Sequence, residues 1–431
     1  MSLSTRQSAP SNPFASANPH ALATILDASQ TKRIIASCDI FDISGIKLWA
    51  RDQPVSGALQ RKLLDRQLRN PLESCLLAED GVTSHSLVQA VQTLVERDGP
   101  LAPLLRPHAT RIVQEVGQLP LHSVAQLLLT AAQASRPQTF DHAVQAMALA
   151  GALLLEHGGT LAELRLALLG GLLHDLGEMY IDPRYGEADA DRSLDFTSYQ
   201  QLVVHPHVGR LLLTQLTNYP TTLARAVAEH HEHMDGSGYP HGLGREAMSP
   251  LGRLLAVTEA ALGVLRVGTA EQPARCSSLA RVSVALRVVP GEYDLAWVGA
   301  ISAAARGQGE MPGDGDTPAI QTRLARLDDT LRGAQRSANT LADAAQTAPL
   351  KEAIVLVQHL LGRLRAGWYA SGLWSSEGIS AQDAAEVEAV EAELSFRLRC
   401  IERAALLRAG VLAGDEALRL GQLCQALQPA G

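Results

Sequence analysis

Through the middle of the chain apolar residues recur at spacings of three and four, the pattern of helices that turn one face to a core. In "TLAELRLALLGGLLHDLG" the stripe is Leu161, Leu164, Leu168 and Leu172. Thr160 followed three residues later by Glu163 marks the helix start as a capping box, and Gly177 stands where a C-cap is expected. "SPLGRLLAVTEAALGVL" opens with Ser249 as N-cap and Pro250 at the first helical position, and Leu251, Leu254, Leu255, Leu262 and Leu265 trace its buried face. Residues 106–305 read as one helix after another. The fold class is mainly α.

The flanks differ. Residues 1–35 are rich in Ser, Ala, Pro and Asn without apolar period, and are expected to be a disordered leader. Residues 36–105 offer short strand-like pieces and then a helix, which predicts a small, separate N-terminal α+β domain of unassigned role. A Gly/Pro/Asp-rich break at 306–318 predicts a linker. Beyond it, 319–431 is expected to form a helical hairpin or bundle with Trp368 and Trp374 near its turn. Leu324, Leu327, Leu331, Ala334, Ala338 and Leu341 make one heptad-like seam, and Val387, Val390, Leu394, Leu398, Ile401 and Ala405 make another. Such seams pack within a chain or join two copies, so a homodimer through the C-terminal helices is a second expectation.

Composition narrows the chemistry. The 431 residues are 46% hydrophobic with a formal charge of −8, which argues against a nucleic-acid polymer as partner. Lysine occurs only at 32, 47, 62 and 351, so anion contacts in the middle of the chain must come from arginine, histidine, backbone or metal. The five cysteines are scattered without a CxxC, as in a reducing compartment. The longest apolar runs, such as "AMALAGALLL" at 146–155, fall well short of the roughly twenty residues a membrane span needs. A cytoplasmic protein with no membrane contact is expected.

Nine of the fourteen histidines fall between His142 and His241. His142 lies near the start of one helix, His174 with Asp175 at the end of the next, His205 just before Pro206, and His230 with His231 late in a fourth. Burying several unpaired imidazoles with a carboxylate costs several kcal/mol unless something compensates them, and a metal would. Imidazole and carboxylate without thiolate suit Fe, Mn, Zn, Co or Ni.

"HDLG", then "VVHPHVG", then "HHEHMDGSGYP", then "RLLAV" in a helix resembles the HD-GYP family, a bacterial branch of the HD superfamily of metal-dependent phosphohydrolases. The resemblance covers roughly 135–305 and implies an HD-type helical bundle over 106–305. It implies hydrolysis of cyclic di-GMP or a related cyclic dinucleotide in second-messenger signalling, at a centre of two divalent cations, iron or manganese. By motif the metal ligands would be His142, His174, Asp175, His205, His230 and His231, with Asp175 bridging and His174 and Asp175 catalytic. Glu259 occupies the position of the family's last aspartate. Tyr239 would be presented rigidly to a base or to a signalling protein partner, on a loop where Asp235 caps the ligand helix.

Three departures bear on activity. Where the family reads HDxGK, this chain has Glu178; where three-metal members carry a glutamate it has Gln138; and the arginine-rich stretch after the last ligand helix is reduced to "EQPARCSS". Arg210, Arg253 and Arg275 are the candidate substrate contacts in place of the lysine. A second reading keeps the metal shell but makes the chain a catalytically impaired signalling module that binds a nucleotide or a protein.

Overall fold

The computed structural model describes residues 13–186, 196–266, 278–307, 317–371, 384–410, 412 and 414–427. The chain starts with helix α1 (Pro19–Ala28), followed by strands β1 (Ile34–Ala36), β2 (Ile40–Phe41) and β3 (Lys47–Trp49), helix α2 (Gly57–Leu63) and strand β4 (Leu76–Ala78). Strands β1 and β4 pair antiparallel with Ile35 opposite Leu77, and β2 pairs with β3. Among the described residues the elements after β4 are helices: α3 (Ser84–Glu96), α4 (Ala102–Leu105), α5 (Ala109–Val116), α6 (Ser123–Ser135), α7 (Pro137–Glu156), α8 (Leu161–Leu173), α9 (Phe196–Leu202), α10 (His205–Leu216), α11 (Thr221–Glu229), α12 (Pro250–Arg266), α13 (Leu279–Ala285) and α14 (Leu295–Arg306). Helices α15 (Thr317–Ala344), α16 (Ala348–Ser371), α17 (Ala384–Ala409) and α18 (Asp415–Leu427) follow.

The expected leader is ordered from residue 13 on. Asn18 accepts from the backbone N–H groups of His20 and Ala21, Pro19 takes the first turn, and Ala21 and Ile25 bury against α6. A short capped helix is easily hidden in a Ser/Ala/Pro/Asn-rich composition. Residues 1–12 lie outside the described set.

Nor is the strand region a separate unit. One continuous apolar cluster runs from Phe14 through Leu59, Leu76 and Leu87 to Ile301 and Ala305, so the small sheets and α1–α3 share the core of α6–α14. The Thr160–Glu163 capping box is present, and Leu164, Leu168 and Leu172 are buried. Leu161, in the first turn, is 41% exposed, because the core begins one turn further in.

A second apolar cluster joins Val284, Val288 and Val289 to α15–α18. Both heptad-like seams are buried inside this bundle, which leaves neither stripe for a second copy. The expected dimer through these faces is therefore replaced by packing within the chain. Trp368 lies in the bundle core and donates to Asp328 Oδ1 at 3.0 Å; Trp374 lies outside the described residues, as do 308–316 of the expected linker. Among the described residues no helix is long and apolar enough to cross a membrane.

Candidate metal centre

Three helix ends and two helix interiors aim side chains at one point. His142 projects from the second turn of α7, and Glu259 from the middle of α12. His174 and Asp175 open a 3₁₀ turn, His174–Tyr180, that takes over directly from α8. His205 is the first residue of α10, and His230 caps α11 with His231 just beyond it. All seven are buried. Gly177 is not a C-cap, since the 3₁₀ turn runs through it. It is a contact glycine: a Cβ there would run into the His205 carbonyl, so its absence lets α10 sit on the Asp175 turn.

The donors form two groups of four that share Asp175: His142, His174, Asp175 and Glu259, and then Asp175, His205, His230 and His231. Within each group one ligand atom from every residue lies within 4.8 Å of the others. Asp175 divides its oxygens between them. Its Oδ2 is 3.1 Å from His174 Nε2 and 3.4 Å from His142 Nε2, while its Oδ1 is 3.3 Å from His230 Nε2 and 3.4 Å from His205 Nε2. Glu259 Oε2 closes the first group at 2.8 Å from His142 Nε2 and 3.3 Å from His174 Nε2.

Backbone carbonyls orient the imidazoles. The Nδ1–H groups of His174, His205 and His230 donate to the carbonyls of Gly171, Leu202 and Val227 at 2.7, 2.8 and 2.6 Å. That arrangement fixes the ring orientation and turns the Nε2 atoms inward. His142 and His174, and His205 and His230, then bring Nε2 atoms to 3.1 Å of each other. Both Asp175 oxygens are buried without a hydrogen bond, each with two imidazole Nε2 atoms 3.1–3.4 Å away. A cation in each group supplies what these atoms lack, so the residues fit a divalent metal centre. Gln138 is exposed in the first turn of α7 and belongs to neither group.

The groups differ electrostatically. Burial works against the Asp175 charge, but the His174, His142 and His205 imidazoles outweigh it and hold the carboxyl well below its ordinary value. Burial likewise opposes the Glu259 charge, and His142 with Arg266 overcomes it. Burial would lower His174, yet the Asp175 and Glu259 carboxylates hold it well above its usual range. Burial dominates at His230, pushed down to about 4, and at His231, lower still. Those two imidazoles are neutral, the form that binds metal.

The "DGSGYP" loop folds back on the second group. Tyr239 N–H donates to the His231 carbonyl at 2.9 Å, and the two rings stack at 4.5 Å and 15°. Gly238 allows that return, since a Cβ there would meet the His231 carbonyl. Glu232, fully buried, accepts from the backbone N–H groups of His241 and Leu243, each at 2.7 Å. Asp235 does not cap α11; it accepts from Ser237 N–H and Oγ within the loop.

The proposed substrate arginines fare unequally. Arg253 pairs with Asp294 at 3.2 Å, a link between α12 and the start of α14. Arg210 lies beside His207 on α10, whose ring faces His241 at 6.2 Å. Arg275 lies outside the described residues. Glu178 is 1% exposed and turned onto Gly186, and its carbonyl accepts from Arg136 Nη1 at 3.0 Å. Arg266, absent from the expected set, contacts Glu259 Oε1 and leaves Oε2 to the first group. Its signal was the spacing of seven from Glu259, which returns to the same helix face.

Residues 126–261 match the family model of the HD domain, a span that carries His142, His174, Asp175, His205, His230, His231 and Glu259. The same span carries the HDLG and HHEHMDGSGYP motifs. Among curated relatives, the cyclic di-GMP phosphodiesterase PA4108 of Pseudomonas aeruginosa is 29% identical over 48% of this chain and 47% of its own. The 3'3'-cGAMP-specific phosphodiesterases 1 and 3 of Vibrio cholerae are 27% and 25% identical, over 34% and 49% of this chain and 33% and 47% of theirs. The chain thus spans about half the length, or less, of the curated relatives it matches.

Proposed function

We propose that the chain is a metal-dependent phosphodiesterase that hydrolyses cyclic di-GMP or a related cyclic dinucleotide in second-messenger signalling. The observation that carries this is the pair of four-donor groups joined through Asp175. Two divalent cations held there supply Lewis acidity, bringing water toward ionisation near neutral pH and drawing charge off both reacting oxygens of a phosphodiester. The chain's own part is orientation and electrostatics. Asp175 gives one oxygen to each group, the carbonyls of Gly171, Leu202 and Val227 hold three imidazoles in the ligating orientation, and Glu259 is restrained by Arg266. The relatives' names support the substrate class, and the donor set, free of thiolate, supports iron or manganese. Residues 106–305 form the catalytic unit in this reading, and the thiols of Cys38, Cys75 and Cys424, outside any disulfide, fit the cytoplasm.

One observation favours a second reading. Glu178 stands where the family has lysine, is buried and belongs to neither donor group, so that side chain offers a phosphate no cation; a binder of nucleotide or protein without turnover needs none. The test is turnover of cyclic di-GMP by protein purified without oxygen, with iron and manganese measured on the same sample and a His174→Ala/Asp175→Ala control. Linear dinucleotide or GMP appearing with about two metals per chain, and lost in the control, supports the enzyme. Metal bound without turnover supports the binder.

A further inference from the structure

The C-terminal bundle lies outside the HD domain match, yet α17 touches the loop behind His231 along two routes. Near the middle of α17, Arg397 Nη2 lies 3.1 Å from Glu292 Oε2 and 3.1 Å from Glu393 Oε1, and all three side chains are buried. The other oxygen of Glu292 is 3.1 Å from His233 Nδ1, and the Tyr293 hydroxyl is 3.2 Å from His233 Nε2. The backbone is tied in as well, since Met234 N–H donates to the Glu292 carbonyl at 2.9 Å. His233 in turn faces Ser237 Oγ at 2.7 Å. The first route thus runs from α17 through Glu292 to the residues on either side of the loop's turn.

The second route is aromatic. Two turns further along α17, the Arg403 guanidinium sits 4.9 Å over the Tyr199 ring of α9. Tyr199 meets Tyr239 edge-on at 5.6 Å and 79°, and Tyr239 stacks on His231. A cation over the first ring of a ladder whose last ring is a metal-ligating imidazole constrains where that imidazole can sit. Both routes end on the segment 231–239 and on the second donor group. The first group receives no such contact from α17 among the described residues.

We propose that Arg397 and Arg403 are positioning residues for the second metal group: α17 holds the loop and, through it, His231 in ligating geometry. The bundle then acts on the centre, and a shift of α17 would change occupancy at one group only. This rests on the metal-centre reading above. Truncating Arg397 leaves Glu292 and Glu393 buried together, which loosens the loop rather than the helical core.

The experiment uses the full chain as wild type, Arg397→Met, Arg403→Met and Arg403→Lys, with Arg323→Ala as control; Arg323 pairs with Glu388 and Glu391 on α17, away from the loop. Two quantities are read: hydrogen exchange of the His241 and Leu243 amides held by Glu232, and metal per chain by elemental analysis. We expect both methionine variants to keep their helical content, to exchange those amides about tenfold faster or more, and to fall from two metals per chain toward one. Arg403→Lys should regain most of the metal, and Arg323→Ala should match wild type. Unchanged exchange in both methionine variants overturns the proposal, as does faster exchange with two metals retained. A wild-type chain that binds no metal overturns the metal-centre reading itself, and exchange alone then decides the linkage of α17 to the loop.

Discussion

At the scale of single residues the centre depends on two features of opposite legibility. The convergence of these donors was readable because His-Asp and His-His pairs recur at the ends of successive helices. Contact glycines and remote cations were not, because their reason for being present is a neighbour that only the fold supplies. Gly177 shows this: read as a C-cap, it is the point where α10 rests on the Asp175 turn. We expect Gly177→Ala to force the His205 carbonyl away from that turn, at a cost of about 3 kcal/mol and with loss of metal at the second group. Thermal unfolding and metal content check it, and a variant that keeps wild-type values for both would show that the contact yields.

Glu73 is another residue whose weight lies in its surroundings. It is buried beneath the end of the Asp175 turn, where the Tyr180 hydroxyl donates to its Oε1 at 2.5 Å. Burial raises its carboxyl above the ordinary value of 4.5, more than the Tyr180 hydrogen bond lowers it. A carboxyl that holds its proton more tightly folded than unfolded favours the native state at low pH, and that contribution is lost as pH rises from 4.5 through the folded value. Glu73→Gln removes the titration and keeps a hydrogen-bonding partner for Tyr180. Its melting temperature relative to wild type should therefore rise between pH 4.5 and pH 8, and a pH-independent difference would show that Glu73 titrates normally.

At the scale of elements, helix starts were more legible than helix ends. The Thr160–Glu163 box and the Ser249–Pro250 cap rest on local chemistry, and both are present. Helix ends answer to packing instead, so α8 passes into a 3₁₀ turn and α11 stops at Glu229, short of the paired histidines. The loop after them owes its shape to Glu232, whose two carboxylate oxygens each accept one backbone N–H. Hydrogen bonds to a charged group are worth roughly 1.5–3 kcal/mol each, so Glu232→Ala, which removes two, should cost about 3–6 kcal/mol and free the loop around Tyr239. Glu232→Gln, which keeps one acceptor, should cost about half as much. Amide exchange at His241 and Leu243 would report the difference, and equal protection in all three proteins would mean that the loop is held by other contacts.

At the scale of the whole molecule the strands share the apolar core of the helical region, while the C-terminal helices have a cluster of their own. Short strands cannot form a stable core alone, and here they join the core of the helical region, which no local pattern could announce. The C-terminal seams were legible as seams, but period alone does not say whether the partner stripe lies in the same chain. Four helices within one chain satisfy them. The two large apolar clusters are bridged by α13 and by the α17 contacts with the HD region. Leu331 is fully buried in the second cluster, where leucine to alanine costs about 2–5 kcal/mol. Calorimetry of Leu331→Ala should show the bundle melting earlier while the other transition stays in place, with the elution volume on size exclusion unchanged. If instead one transition moved as a whole, the bundle and the metal-binding core would be a single folding unit, and a loosened bundle would be expected to disturb both metal groups rather than one.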